Sequence, residues 1–131
     1  MLEVALTLPL VLLIAVGIFE FGRAYETMQV LTNAAREGAR VAILPSQAPD
    51  AVQTRVKDYM YAGGLVCNSC VTVTPTTISI GGTLTAPGSK VTVAYPFSFM
   101  VLQPVANLVV KGSLAGKSFT MSAVSEMRNE Q

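Results

Sequence analysis

The sequence contains no histidine and no tryptophan. Without histidine it lacks the commonest general base and the commonest metal ligand, so acid–base and metal chemistry lose their usual carriers. Charge is scarce too: 13% of the 131 residues are charged, against about 25% in an ordinary soluble domain. The 9 basic and 8 acidic residues leave a net charge of +1, which builds neither a basic field for nucleic acid nor an acidic one for cations. The carboxylates Asp50, Asp58, Glu126 and Glu130 show no paired spacing, and the Ser and Cys side chains have no histidine to activate them. The expectation is a protein without catalysis, cofactor, metal site or nucleic-acid partner.

Cysteine occurs only at Cys67 and Cys70, in Val66-Cys67-Asn68-Ser69-Cys70-Val71. Asparagine and serine favour a tight turn that brings the sulfurs together. A redox C-x-x-C site needs its first cysteine at a helix N-terminus in a βαβ unit, where the helix dipole lowers the thiol pKa. Here the pair follows a predicted helix and precedes predicted strands. That context favours a small structural disulfide formed in an oxidising compartment.

What the sequence has in abundance is apolar surface, 51% of the chain, concentrated at the start. Val4 to Phe19 holds no charged residue and covers roughly 24 Å as a helix. Met1-Leu2 and Phe21 extend its apolar length towards the ~30 Å of a bilayer core. A secretory signal would be shorter, would follow a basic region and would end in small residues. No Lys or Arg precedes the run, while Arg23, Arg36 and Arg40 follow it, so no basic cytoplasmic flank is present. Removal of a leader leaves such a start, and Met1 need not be an initiator. Pro9 deletes one backbone bond and loosens or kinks the helix; side chains such as Thr7 can re-satisfy the freed carbonyls.

Beyond Glu20 the pattern turns amphipathic without a break. Ala24, Met28, Leu31, Ala35, Ala39 and Ala42 fall at helical spacing. Ala34, Ala35, Gly38, Ala39 and Ala42 make this part rich in small residues, which let backbones approach closely. Two uses stay open: packing on the protein's own sheet, and packing between subunits. Leu44-Pro45 ends the helix. A second helix is predicted from Asp50 to Ala62, opened by Pro49 and closed by Gly63-Gly64. Period-two alternation then marks Val71–Thr74, Ile78–Ile80, Val91–Tyr95 and Phe119–Val124 as strands, with turns expected at Pro75, Gly81-Gly82 and Pro87-Gly88. Val101–Leu114 reads as loop or helical turn, with a strand candidate at Val109-Val110. The predicted class is α+β: a long helix over residues 1–44, then a small head over 45–131 with a short helix and an antiparallel sheet.

Three segments together carry a resemblance. Glu3-Val4-Ala5-Leu6-Thr7-Leu8-Pro9, Gly17-Ile18-Phe19-Glu20-Phe21-Gly22-Arg23 and Leu31-Thr32-Asn33-Ala34-Ala35-Arg36-Glu37-Gly38-Ala39-Arg40 resemble the TadE-like pilin family of tight-adherence pili. The ending from Met121 to Glu130 is similar to that family's last strand. The resemblance implies a prepilin anchored in the cytoplasmic membrane, cut by a prepilin peptidase and assembled by a secretion ATPase and platform proteins into an extracellular, type IV-like filament. In that picture the subunit polymerises with copies of itself or with other pilins, for adhesion. The alternative within the family is a membrane-anchored minor pilin or assembly factor outside the filament shaft.

The same resemblance assigns roles. In type IV pilins the register-setting glutamate is the fifth residue of the mature chain; here the glutamate in front of the apolar run is Glu3. A carboxylate at that level is costly unless partnered, and its expected partner is a neighbour's N-terminal ammonium rather than solvent. Pro9, Gly17, Gly22, Ala35, Gly38 and Ala39 are expected at helix packing contacts. Glu20, Arg23, Arg36, Glu37 and Arg40 are candidates for ion pairs between subunits. The modest alternative is local pairing along the helix, worth about 0.3–0.5 kcal/mol per exposed pair; for Arg36, Glu37 and Arg40, where Glu37 cannot satisfy both arginines fully, a solvated or sheet-contacting helix face is the favoured reading. Phe19, Phe21 and Tyr25 are read as packing aromatics.

Overall fold

The computed structural model describes residues 2–45, 48–104 and 118–129. Two helices, α1 (Leu2–Ala42) and α2 (Pro49–Ala62), precede three strands, β1 (Val71–Gly81), β2 (Leu84–Phe97) and β3 (Phe119–Arg128). The strands form an antiparallel sheet in the order β1-β2-β3, so the class is α+β as expected. Contacts divide the chain into two compact units: Met1–Glu26 with Pro96–Phe119, and Thr27–Tyr95 with Thr120–Gln131. The helix α1 thus contributes to both units.

The helix α1 runs through Pro9 without interruption. The Thr7 hydroxyl donates to the Glu3 carbonyl at 2.9 Å, rather than to that of Ala5, which is the carbonyl Pro9 leaves without its usual N–H. At the other end Ile43 N–H still reaches the Ala39 carbonyl and Leu44 N–H the Val41 carbonyl; Pro45 then offers no donor to continue. The buried stripe of α1 is Glu20, Ala24, Thr27, Leu31, Ala34, Ala35, Gly38 and Ala39. It departs from the sequence reading in two places: Met28 is exposed and Thr27 buried, and Ala42 is only half-buried.

The second unit is built around that stripe. Leu31, Ala34, Ala35 and Ala39 cluster with Val52, Val56 and Met60 of α2, with Cys70, with Val91 and Val93 of β2 and with Ala123 of β3. Burying a side chain such as Leu31 or Met60 contributes about 1.5–3 kcal/mol. The small residues explain how close the elements come. A Cβ at Gly38 would overlap Cγ2 of Val56 and lie 3.2 Å from Cγ1 of Val91. Both valines are fully buried, and β-branched side chains do not swing aside. Gly38→Ala gains up to about 1 kcal/mol of helix propensity but overpacks at a cost of about 1–3 kcal/mol. The expected outcome is a lower thermal unfolding midpoint than wild type; an unchanged or raised midpoint refutes the tight fit.

The helix α2 starts on Pro49 and carries Asp50 in its first turn, where a negative charge suits the dipole. It ends in a Schellman arrangement: Leu65 N–H reaches the Met60 carbonyl and Gly64 N–H the Tyr61 carbonyl, both at 2.9 Å. Gly64 has φ 76°, a conformation that glycine adopts without strain.

Two predicted turns are absent. Pro75 lies inside β1, paired with Ser89; β1 is an edge strand, where a missing ladder donor is tolerated. Pro87-Gly88 lies inside β2, with Gly88 opposite Thr76. A Cβ at Gly88 would come 2.6 Å from Ile78 Cδ1 and 2.9 Å from the Met127 carbonyl. Glycine is there for space between strands, not for a turn. The real turn is at Gly81-Gly82, with φ 137° and 58°, so Val71–Thr74 and Ile78–Ile80 belong to one strand. Residues 102–104 are helical; the Val109-Val110 strand candidate and Glu130 lie outside the described residues.

Candidate functional site

The first unit carries a large exposed apolar surface. From Val4 to Phe21 the large apolar side chains of α1 point outward on every side, with Leu6 76% and Ile18 70% exposed. The helix is long and apolar enough to cross a membrane. Successive residues of a helix lie about 100° apart, so the exposed run Leu10–Ile14 covers the whole circumference rather than one stripe. Glu3 and Pro9 are exposed on the same cylinder. Among the described residues, a Cβ added at Gly17 or Gly22 would meet nothing within 4 Å. Ala35, Gly38 and Ala39 are buried in the second unit.

The apolar cylinder ends in a polar network that uses Glu20 and Arg23. Glu20 is fully buried. Its Oε1 accepts the Val101 backbone N–H at 2.7 Å, and its Oε2 lies 3.6 Å from Arg23 Nη2, an ion-pair distance too long for a hydrogen bond. Arg23 also donates from Nη2 to the Ser98 carbonyl and lays its guanidinium over the Phe97 ring, 4.9 Å from the centroid. Phe97 meets Phe99 edge-on at 5.3 Å, and Phe99 meets Phe21 at 6.2 Å. The two charges read as candidates for bonds between subunits are thus occupied by the chain's own segment 97–101. Glu20, enclosed on all sides, has no surface left to offer a neighbour. Phe97, Ser98, Phe99 and Val101 were not legible as partners, because half of them act through backbone groups.

Further along α1, Glu37 turns to α2. Its Oε1 accepts Arg55 Nε at 3.1 Å and Arg55 Nη2 at 2.8 Å, while Oε2 accepts Arg40 Nη1 at 3.4 Å. Both Arg55 donors meet the same oxygen, and Arg55 is the nearer of the two arginines. This contact joins α1 to α2 within the second unit, a use that the (i, i+3) spacing with Arg40 did not disclose. Arg36 is exposed.

Cys67 and Cys70 are disulfide-bonded, with Cα atoms 5.9 Å apart. Cys70 is buried in the head core and Cys67 packs against it, so the bridge closes the connection from α2 to β1. Replacing both by serine is expected to lower stability by about 2 kcal/mol, since a short loop restricts the unfolded chain only modestly. Mass spectrometry of non-reduced peptides checks the linkage, and free thiols in freshly isolated protein would refute it.

No curated protein and no solved structure matches this chain. Residues 1–40 match the family model of TadE-like proteins, which bears out, over the helix that carries it, the resemblance read from the sequence.

Proposed function

We propose that this chain is a structural subunit of a Tad-type pilus filament, without a reaction of its own. One observation supports this reading above the others: the apolar half of α1 is exposed around its whole circumference while its second half is committed to the head. A bilayer covers such a cylinder before assembly, and neighbouring copies of the same helix replace the lipid in a filament core. The continuous 41-residue helix, about 60 Å long, is more than a simple anchor needs. The half-buried Gly17 and the exposed Gly22 leave notches in the cylinder that admit close approach of another helix. The prepilin peptidase and assembly platform implied by the family are the expected partners, and the cell surface the expected destination.

The test is electron microscopy of filaments sheared from cells that make an epitope-tagged chain, with gold-labelled antibody. Label along the shafts supports the proposal. Shafts without label, with the tagged chain confined to the membrane fraction or to filament tips, make it a minor pilin or assembly factor instead. A second check uses a chain starting at Arg23, which lacks the apolar run. It is expected to be monomeric in light scattering, and polymers formed by that shortened chain would refute assembly through the helix.

A further inference from the structure

The geometry points to a second membrane contact beside the helix: the loop Phe99-Met100-Val101, held at the level of Phe21, sits in the lipid headgroup–acyl boundary of a phospholipid bilayer. The inference concerns the membrane-anchored state and stands whether the chain becomes a shaft subunit or a minor pilin.

The stretch Val4–Phe21, which follows Glu3 and whose only charged residue is Glu20, spans about 27 Å at 1.5 Å per residue, close to the ~30 Å of the hydrocarbon core. Phe21 therefore marks one edge of that core when the helix spans it. Glu20 would stand at the same edge as an exposed carboxylate, yet it is fully buried, and the loop is in direct contact with it. The Val101 N–H donates to Glu20 at 2.7 Å, and Phe99 packs edge-on to Phe21. These short contacts fix the loop at the level of Phe21 within the same compact unit.

The surface presented there is apolar. Phe19 and Phe21 are each 66% exposed, Met100 is 67% exposed and Val101 44%. A loop entering the boundary must not bring unsatisfied backbone groups with it. Here the Val101 N–H is taken by Glu20 and the Ser98 carbonyl by Arg23. Arg23 keeps 29% of its side chain exposed. The patch is continuous with the apolar cylinder, and its one carboxylate is hidden. Lipid covers both with a single surface.

The test uses the full chain in phosphatidylcholine vesicles. The native cysteines are disulfide-bonded, so Met100→Cys and, separately, Leu12→Cys can each be labelled with an environment-sensitive dye. Lipids carry a nitroxide near the headgroup or bromines deep in the acyl chains. Position 100 is expected to emit at blue-shifted wavelength, to lose most of its intensity to the shallow quencher and to lose little to the deep one; position 12 is expected to show the reverse. Water-like emission at position 100, quenched by aqueous iodide, overturns the proposal. A blue shift without quenching by either lipid, fading as lipid is added, overturns it in favour of a second copy covering the loop. If the dye at position 12 is also untouched by the deep quencher, the helix does not span the bilayer, and the loop's level falls with it.

Discussion

Cells carrying Glu3→Ala are expected to lose surface filaments while retaining the subunit in the membrane. Glu3 lies at the start of α1, exposed in the single chain, ahead of a run with no other charge until Glu20. In the proposed filament that position enters an apolar core, where an ionised carboxylate persists only with a partner. A neighbour's N-terminal ammonium is the partner the family resemblance supplies. Removing one member of a buried pair leaves the other uncompensated and costs about 3–5 kcal/mol per contact, repeated at every subunit. Glu3→Gln keeps the shape and some hydrogen bonding, so its filament yield is expected to fall clearly but less far. Membrane insertion does not explain the defect, since a more apolar terminus inserts at least as well. Immunoblots of sheared and membrane fractions read the outcome. Wild-type filament yield from Glu3→Ala cells would make Glu3 a solvated end residue. Glu20, already enclosed by its own chain, could not take over the role.

The second large effect is expected at Glu20. Glu20→Ala removes the acceptor of the Val101 N–H and the carboxylate beside Arg23. Stranding a donor costs about 1–3 kcal/mol where it is buried, and the Val101 hydrogen bond is part-buried. The full loss for a broken buried pair is larger, but Arg23 retains partial exposure, the Ser98 carbonyl and the Phe97 ring, which limits the cost on its side. A loss of about 2–3 kcal/mol in local stability corresponds to roughly a hundredfold shift in the opening equilibrium. Hydrogen exchange at the Val101 amide should accelerate by about that factor, with easier proteolysis between residues 97 and 101. Glu20→Gln keeps an acceptor in the same place and should change exchange much less. Unchanged Val101 exchange in Glu20→Ala would show that the loop is held by its aromatic contacts alone.

Sequence and structure agree where the signal is local and periodic. The charge-free run, the small residues at helical spacing and the stops at Pro45 and Gly63-Gly64 place both helices closely. They disagree where a distant element overrides the local signal. Pro75 and Gly88 are turn residues by type, yet the register of β1 on β2 carries both strands through them. Thr27 takes the buried place expected for Met28, because it continues the helical spacing of the buried positions 20, 24, 27, 31 and 34. Glu37 had two nearby arginines to choose from in sequence and pairs most closely with Arg55, brought alongside by the fold of α2 on α1.

By itself the sequence determined the apolar cylinder, its length, the carboxylate in front of it and the likeness of residues 1–40 to TadE-like proteins, since each depends on neighbours along one helix. Only the tertiary structure decided what the charges at the end of that cylinder do. Glu20 is bound by a backbone N–H at position 101, and a backbone donor leaves no mark in the residue type. Only the tertiary structure, too, divided the small residues: Ala35, Gly38 and Ala39 go to the head, where Val56 and Val91 close upon them, and Gly17 and Gly22 stay open. Glycine and alanine permit close approach anywhere, and which surface makes the approach depends on where the rest of the chain comes to lie.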